Sequence, residues 1–479
     1  MPRLATGGAA ADEQRIPRLA TGGAAADEQS LPRLAASGAL ADEQSLPQPA
    51  TGGAAAAPAS VPAGGAPGRL FNRNFLLLWQ GQTVSQLGNQ AFALAMAYWT
   101  LEATGSASLM GLLLATMSLP VPLLSPIGGV LADRFSRIRI LVACDVVAGL
   151  AMIIQSGAML SGRCSRPVLV AMLFAVALIS GVVNGFFLPT LSACIPDLVP
   201  KERVGAANSL NQFSVQAATL LGQSIGGVFY RLLGGPRLFL FDGLTFLFCA
   251  GSESLVRLPP RPAPEDLALG AGARRFAASL REGLAYVRRT PGLLNFIVCP
   301  AVYNFFSMAL LVLMPFYVRI NLHAGSEWYG FLIAVISLGS IVGFVIAGLV
   351  RLTGTARMRY LVTMIAIAPA PMAIAGFVHR PIVGLAVGFA MGVMLGVINV
   401  NLLTLLQTKT PAELRGRVLG LWTSLVQGVM PIGMLMGGFA GDLTGKNIPL
   451  VFTTCGVLTL AVTALALSRR STRQYLGTD

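Results

Sequence analysis

Residues 128–139 read GGVLADRFSRIR and form a short, charged loop between two apolar stretches, each long enough to cross a bilayer. Gly129, in the glycine pair that opens the loop, allows the preceding helix to end in a tight turn. The loop then carries one acid and three arginines: Asp133, Arg134, Arg137 and Arg139. The acid can accept hydrogen bonds from the N-terminus of a neighbouring helix, and the arginines can pair with acids or lipid phosphates. The same composition is also typical of an ordinary basic loop on the cytosolic side of a membrane protein.

The composition of the whole chain indicates a polytopic membrane protein. Of the 479 residues, 54% are hydrophobic and 11% are charged, and the mean hydropathy is +0.70. A soluble globular domain carries about 25% charged residues. The predicted fold class is therefore an all-α membrane protein.

The distribution of basic residues predicts the orientation of the chain. Of the 34 lysines and arginines, 23 fall on one alternating set of termini and loops, seven on the opposite set and four in the N-terminal tail. Basic residues mark the cytosolic side, so we expect both termini to be cytosolic and the number of spans to be even. This pattern accounts for the net charge of +14, and we expect no nucleic-acid partner.

Twelve apolar stretches have the length that a helix needs to cross the hydrocarbon core. The first six lie near residues 75–99, 107–128, 138–160, 168–190, 207–231 and 237–257. The second six lie near residues 293–318, 328–350, 359–378, 381–407, 416–441 and 448–467. We therefore predict two six-helix bundles, at 69–258 and 293–468, followed by a cytosolic tail at 469–479.

Two further segments lie outside these bundles. Residues 1–68 repeat a PRLATGGAAADEQ-like unit with a period of fifteen, and their low content of large apolar residues predicts a disordered cytosolic tail. Residues 259–292 form a linker in which apolar side chains recur at helical spacing among arginines. That pattern predicts a cytosolic amphipathic helix on the membrane surface.

The two halves of the chain share a repeat with an offset of 211 residues. Pro200 and Glu202 recur as Pro411 and Glu413. The glycines that follow recur at the same offset: Gly222, Gly226 and Gly227 in the first half, and Gly433, Gly437 and Gly438 in the second. Glycines at this spacing allow helices to pack closely. Parallel repeats of six helices are typical of transporters that bind substrate between their halves.

Polar side chains within the predicted spans are costly in lipid unless they face the bundle interior or water. The candidate cavity residues are Gln82, Gln86, Asn89, Gln90, Asn184, Gln212, Gln216, Asn304, Asn399 and Gln427. Any single one is explained at least as well by hydrogen bonding between helices. Together they predict a large, neutral, amphipathic cavity that suits a drug-like or lipid-like solute.

Acids within the predicted spans are functional candidates because charge is costly in lipid. Asp145 lies about two turns into span three, where it could accept a proton during transport or pair with an arginine of the 134–139 loop. Its place near the cytosolic end favours the pairing. Glu253 precedes Arg257 by four residues, the spacing of an ion pair on a helix surface. No acid is predicted to lie clearly at mid-membrane.

The sequence contains no candidate catalytic or metal site. Six cysteines are scattered without a CxxC pair and are predicted to be small buried side chains. The two histidines, His323 and His379, fall in different predicted outer loops. Because no nucleophile–base pair and no paired carboxylates are apparent, we expect neither an enzyme nor a cofactor.

The 128–139 loop resembles the signature between helices two and three of the major facilitator superfamily, in which a glycine precedes Asp-Arg by four residues and more basic residues follow. Ser136 replaces the usual glycine and Ile138 an arginine. Residues 70–470 also resemble the drug:proton antiporter subfamily that includes macrolide and enterobactin exporters, in stretches such as LVPKERVGAANSL and TPAELRGRVLG. In the fifth span, Gln223 stands where facilitator antiporters have a proline.

This resemblance implies the major facilitator fold of twelve helices and an alternating-access exporter of the bacterial inner membrane, driven by proton entry. It implies that Asp133 caps the N-terminus of span eleven and that Arg137 pairs with an acid, which we expect to be Asp145. We expect a monomer whose partners are the lipid bilayer, an amphipathic small-molecule substrate and protons. An uptake permease of the same fold and a non-transporting membrane sensor are the alternatives.

Overall fold

The computed structural model describes residues 70–258, 281–350 and 354–477, all within one compact unit. The predicted disordered tail (1–68) and residues 259–280 of the predicted linker lie outside the described residues. Every regular element in the described part of the chain is a helix. The all-α prediction is therefore confirmed for these residues.

The first helix set precedes the linker. It consists of α1 (Arg73–Thr104), α2 (Ala107–Ser118), α3 (Pro120–Arg134), α4 (Arg137–Ser161), α5 (Arg166–Leu198), α6 (Val204–Leu233) and α7 (Gly235–Ser254). A short 3-10 turn, Lys201–Arg203, precedes α6. Residues 281–289 of the linker are helical and are called α8.

The second helix set follows the linker. It consists of α9 (Leu293–Phe316), α10 (Ser326–Leu349), α11 (Gly354–Ile367), α12 (Ala370–Ala375), α13 (Pro381–Lys409), α14 (Ala412–Gly428), α15 (Met430–Leu443), α16 (Ile448–Ser468) and α17 (Arg470–Gly477). A π-helical turn, Tyr317–Asn321, extends α9. Helix α17 shows that the predicted tail is ordered over these residues.

Three of the predicted spans are each broken into two helices. Pro120 begins α3, and Pro371 and Pro431 lie in the first turns of α12 and α15. Proline has no N–H to donate and its ring clashes with the preceding turn, but it is tolerated at the start of a helix. Each break therefore falls where a proline lies in the first turn of the second helix.

Nine helical segments of the described residues are long and apolar enough to cross a membrane. Helices α1, α6 and α7 are not among these nine, although they contain 32, 30 and 20 residues. All twelve predicted stretches coincide with helices or helix pairs. That all twelve cross the bilayer with cytosolic termini stays a prediction.

The repeated glycines make equivalent contacts within each helix set. The members that face their own set are Gly222 and Gly226 in α6, and Gly433 and Gly437 in α15. A Cβ at the second of each pair would meet the backbone of a single alanine, Ala91 in α1 or Ala309 in α9. The repeat in the sequence therefore corresponds to a repeated packing geometry, in which α6 packs on α1 as α15 packs on α9.

The next glycine along each helix faces the other set. A Cβ at Gly227 would lie 2.9 Å from the carbonyl oxygen of Ser326 in α10, and one at Gly438 would lie 2.5 Å from that of Ala107 in α2. One step along the helix thus changes the contact from packing within a set to packing between the sets. The crossing of α6 with α10 and that of α15 with α2 are the two most extensive contacts between the halves in the described part of the chain.

These crossings lie at one end of the bundle, where the odd-numbered predicted spans finish. We call it the far end, and the end that carries residues 70 and 477 the terminal end. Every hydrogen bond that crosses between described residues of the two sets uses residues 106–118 or 227–231 of the first set. Those bonds run from the far end to the middle of the bundle. At the terminal end, no hydrogen bond links the two sets within the described ranges.

Candidate functional site

The buried guanidinium of Arg137 ties together three helices beside the 128–139 loop. Its Nη1 donates to the Asp197 carboxylate at 2.8 Å and to the Ala193 carbonyl in α5, and its Nη2 donates to Asp133 at 3.2 Å. Its Nε donates to the Ala132 carbonyl at 3.1 Å. A planar guanidinium suits several acceptors at once, so Arg137 fixes the ends of α3 and α5 against the start of α4.

The expected pairing of Arg137 with Asp145 is therefore wrong. Asp197 takes that place because α5 ends beside Arg137 at the terminal end. Asp145 lies two turns further along α4 and faces the interior of the first set, where it is 1% exposed.

The expected helix end at the glycine pair is wrong: α3 continues through Gly129 to Arg134, and only Phe135 and Ser136 of residues 128–139 lie outside helices. The other charged side chains of this segment lie at or near the surface. The Asp133 side chain is 68% exposed and bonds Arg137; among the described residues it does not reach the N-terminus of α14. Arg139 is exposed, Arg134 is half-buried, and a Cβ at Gly129 would meet nothing within 4 Å. The cap on span eleven implied by the resemblance is thus not formed in this arrangement of the helices.

A polar cavity of about 40 Å³ lies inside the first helix set. Five of the predicted residues line it: Gln82, Gln86 and Asn89 from α1, Asp145 from α4, and Asn184 from α5. Ser180 also lines this cavity, and its buried hydroxyl has no hydrogen-bond partner among the described residues. The cavity is therefore polar and is bordered by an acid, in contrast to the neutral cavity that the sequence predicts.

Four of the predicted polar residues lie elsewhere. Gln90 accepts a hydrogen bond from Gln223 at 2.9 Å and so joins α1 to α6. Gln212 and Gln427 are exposed and Gln216 is half-buried. Gln216 and Gln427 occupy equivalent positions of the 211-residue repeat, in α6 and α14.

A second cavity of about 160 Å³ lies inside the second helix set. Its walls are mainly apolar and aromatic, and Asn304 and Asn399 are the predicted residues that line it. Helix α17 borders it through Thr472, whose hydroxyl accepts a hydrogen bond from Asn295 at 2.9 Å. The ten predicted polar residues therefore do not share one cavity, because the two sets enclose separate ones.

Two buried carboxyl groups meet beside the polar cavity. One oxygen from Asp145, one from Glu253 and the Cys249 sulfur all lie within 4.8 Å of one another, near enough for one small cation. Gln82 Nε2 donates to Glu253 Oε1 at 2.7 Å. The expected surface ion pair with Arg257 is wrong: Glu253 is 0% exposed, and Arg257 lies beyond the end of α7 at Ser254.

A signal for the burial of Glu253 is present in the sequence. Asp242, Thr245, Cys249 and Glu253 follow one another at intervals of three or four residues, and so lie on one face of α7. All four are buried in the structure. Glu253 was missed because its spacing from Arg257 also fits a surface pair, and only the packing of α7 on α1 and α4 decides between the two.

At the far end, Asp442 of α15 binds the N-terminus of α2 across the two sets. Its carboxylate accepts hydrogen bonds from the Ser106 hydroxyl at 2.7 Å, the Ala107 amide at 3.0 Å and the Ser108 amide at 2.9 Å. An anion at a helix N-terminus is favoured by the free amides and the helix dipole. At the equivalent position of the repeat, Arg231 bonds Glu327 in the first turn of α10 at 2.9 Å.

Two sets of membrane-length helices, built on one repeat, joined towards one end and each enclosing a cavity, define a membrane transport protein. The chain belongs to the Major Facilitator Superfamily, whose sequence pattern matches residues 78–434. This confirms the resemblance carried by the 128–139 loop. The members of the family are transporters of small molecules and not enzymes, and this chain is a multi-pass protein of the bacterial inner membrane.

Similar proteins include exporters. The chain is 24% identical over 390 residues to macrolide efflux protein A of Streptococcus pyogenes, covering 78% of this chain and 90% of the relative. It is 29% identical over 349 residues to the enterobactin exporter EntS of Citrobacter koseri, covering 71% of this chain and 76% of the relative. The solved structure of the nucleoside transporter NupG matches with a TM-score of 0.63 at 8% identity, covering 83% of this chain and 99% of that one. The structural match supports the fold alone.

Proposed function

We propose that this protein exports an amphipathic small molecule, drug-like, macrolide-like or siderophore-like, by alternating access in exchange for protons. In this proposal the chain is a monomer of twelve spans with cytosolic termini. Residues 69–258 and 293–468 are its two moving halves, joined by the linker at 259–292.

The observation that carries this proposal is the joining of the two helix sets towards one end only. Hydrogen bonds between the sets run from Asp442 and Arg231 at the far end to Ser118 at mid-bundle. With cytosolic termini, the far end faces outward, so this arrangement is closed to the outside. Alternating access requires a second arrangement, in which these contacts part and the 128–139 loop meets α14.

Export is favoured over uptake by the named relatives. Macrolide efflux protein A and the enterobactin exporter each match more than two thirds of this chain. The walls of the larger cavity suit an amphipathic solute, because they present aromatic and aliphatic side chains together with Asn304 and Asn399.

The proposed function predicts energy-dependent efflux from whole cells. A strain that lacks its own pumps and expresses this chain would be loaded with fluorescent amphipathic dyes or macrolides. We expect faster extrusion than with an empty vector, and loss of the difference when a protonophore collapses the proton gradient. Greater accumulation than with the vector would instead show uptake. Extrusion that persists with the protonophore would contradict proton exchange.

The contacts of Asp442 predict that its loss opens the far end. Asp442→Ala removes three charge-assisted hydrogen bonds, and we expect it to disfavour the closed arrangement by about 3 kcal/mol, or about 100-fold in population. A Ser108→Cys reporter should then react faster with a membrane-impermeant maleimide added from outside, relative to the same reporter in the parent chain.

Arg231→Ala is the matched control for Asp442→Ala. It breaks the ion pair at the equivalent position of the repeat, but the Arg231 side chain is 69% exposed, and exposed pairs contribute less than about 1 kcal/mol. We therefore expect little change in the labelling of the reporter. Equal effects of the two substitutions would contradict the assignment of Asp442 as the main contact.

A further inference from the structure

We propose that Asp145 and Glu253 form the proton-binding site of this transporter, as a pair of carboxyl groups that together carry one proton. This inference deepens the proposed function and rests on it for the use of that proton in export. The sequence alone points to Asp145 as a single acid and to Glu253 as part of a surface ion pair, whereas the structure brings the two carboxyl groups together.

The first argument is the charge balance of the pair. Both side chains are at most 1% exposed, and no basic nitrogen of the described residues lies within 4.0 Å of either. A buried carboxylate without a cation is costly, and two close together repel each other. The pair therefore keeps at least one proton while it is closed off from water.

The second argument is the set of groups around the pair. The Gln82 amide donates to Glu253 Oε1 at 2.7 Å, and the Cys249 thiol donates to the same atom at 3.7 Å. Asp145 Oδ2 and Glu253 Oε2 have no hydrogen-bond partner in the described part of the chain. Two donors stabilise one negative charge, and the two free oxygens are where a proton can be bound.

The other titratable groups near the pair carry no positive charge. On α4 the neighbour is Cys144, and on α7 the neighbours are Cys249 and Asp242, which bonds Thr245 three residues on. Helices α1 and α5 present amides and hydroxyls at the cavity. No side chain near the pair can neutralise its negative charge. A bound proton can do so.

The third argument is a cavity beside Asp145 that is large enough to hold water. The polar cavity of about 40 Å³ borders Asp145, and a cavity measured in this way needs about 10–15 Å³ to hold one water molecule. The Ser180 hydroxyl lines the same cavity, is 5% exposed and has no partner among the described residues. This unpartnered hydroxyl can bind a water molecule in the cavity that Asp145 also lines. It is an observation independent of the two acids, and it points to water beside the proposed site.

A proton fits this site better than a metal ion does. The three donor atoms of Asp145, Cys249 and Glu253 are close enough for a small cation. However, the Gln82 amide directs its N–H towards Glu253 Oε1, and a donor hydrogen in that place would oppose a bound cation. In one transport cycle the pair would take up one proton from the outside and release it to the cytosol, with no other change of bonding.

Infrared spectroscopy of the purified full-length protein in lipid nanodiscs tests the pair without any transport assay. We expect the spectrum of the parent minus that of the double variant Asp145→Asn, Glu253→Gln to contain a band from a protonated, buried carboxyl group, since Asp242, which is also buried, contributes equally to both spectra. Each single variant should lose the band at a lower pH than the parent, because the repelling neighbour is gone. Single variants whose remaining acid titrates as in the parent would overturn the shared proton.

Reconstituted vesicles test whether this proton drives export, with the dye or macrolide that cells extrude as the probe. One exchanged proton supports a substrate gradient of about tenfold for each pH unit. We expect the double variant to lose that gradient and to keep exchange of labelled for unlabelled probe, whereas Asp242→Asn, a matched buried acid on α7, keeps both. A gradient that persists in the double variant would overturn the coupling role.

Two outcomes separate this inference from the proposed function. If no probe is extruded but the infrared band behaves as expected, the proposed function fails and the proton site stands. If the band is absent and equilibrium dialysis shows Zn²⁺ bound by the parent and not by the double variant, the site binds metal and the inference is overturned.

Discussion

Gly437→Leu is expected to destabilise the folded protein by about 3 kcal/mol, because overpacking a close helix contact forces the backbones apart. A Cβ at this position would meet the backbone of Ala309, on which α15 packs within its own helix set. The new side chain has no room to turn away, since its neighbour is main chain. We expect a lower thermal unfolding midpoint in detergent and an aggregated peak in size-exclusion chromatography.

Two other glycines of the same predicted span serve as controls for Gly437→Leu. Gly420 is in the same predicted span, and a Cβ there would meet nothing within 4 Å, so Gly420→Leu should leave the midpoint close to that of the parent. Gly438 faces Ala107 of the other set, so Gly438→Leu should spare folding and favour opening of the far end. The Ser108→Cys reporter would show this as faster labelling. Equal loss of stability in all three variants would contradict the division between packing within a set and packing between sets.

Arg137→Ala is expected to lower the stability of the first helix set by about 2 kcal/mol. The substitution removes the guanidinium that bonds Asp197, whose side chain is 20% exposed, and it takes one hydrogen bond away from each of the Ala132 and Ala193 carbonyl oxygens. Leaving a buried acceptor without its donor lowers the free energy of unfolding by more than the net contribution of the hydrogen bond, because the desolvation of the acceptor is no longer offset. The unfolding midpoint of the purified protein measures this effect.

Arg139→Ala is the control for Arg137→Ala, because Arg139 belongs to the same loop and is exposed. It should leave the midpoint unchanged, as should Asp133→Asn, which alters an acid that is 68% exposed. If alternating access operates as proposed, Asp133→Asn slows transport without lowering the amount of protein. A normal rate of efflux in that variant would remove the gating role of Asp133.

The helices and their close contacts could be predicted from the sequence because they depend on local patterns. An apolar stretch of membrane length must satisfy its own backbone hydrogen bonds, so it forms a helix wherever it lies. A run of glycines such as Gly222, Gly226 and Gly227 leaves a helix face without side chains, so it favours close packing. The prolines that divide three spans are equally visible in the sequence, although each of these spans is predicted as one continuous helix.

The choice of partner for each polar group depended on the tertiary structure. Glu253 meets Gln82, 171 residues away, in preference to Arg257 on the same stretch of chain. Asp442 reaches the start of α2 from a distance of 336 residues. No local pattern distinguishes these partners, since spacing reports which face a residue occupies and not which helix lies against that face.

The sequence by itself determined the membrane location, the helices, the internal repeat and the family. Each of these follows from the free-energy cost of exposing backbone polar groups or charges to lipid. That cost applies to each segment on its own, whatever its neighbours in the fold. Only the tertiary structure decided that Arg137 binds Asp197, that Asp145 and Glu253 meet, and that the two sets join towards the far end. These depend on which helix faces pack together, because a buried charge is stabilised by whatever group the fold places beside it.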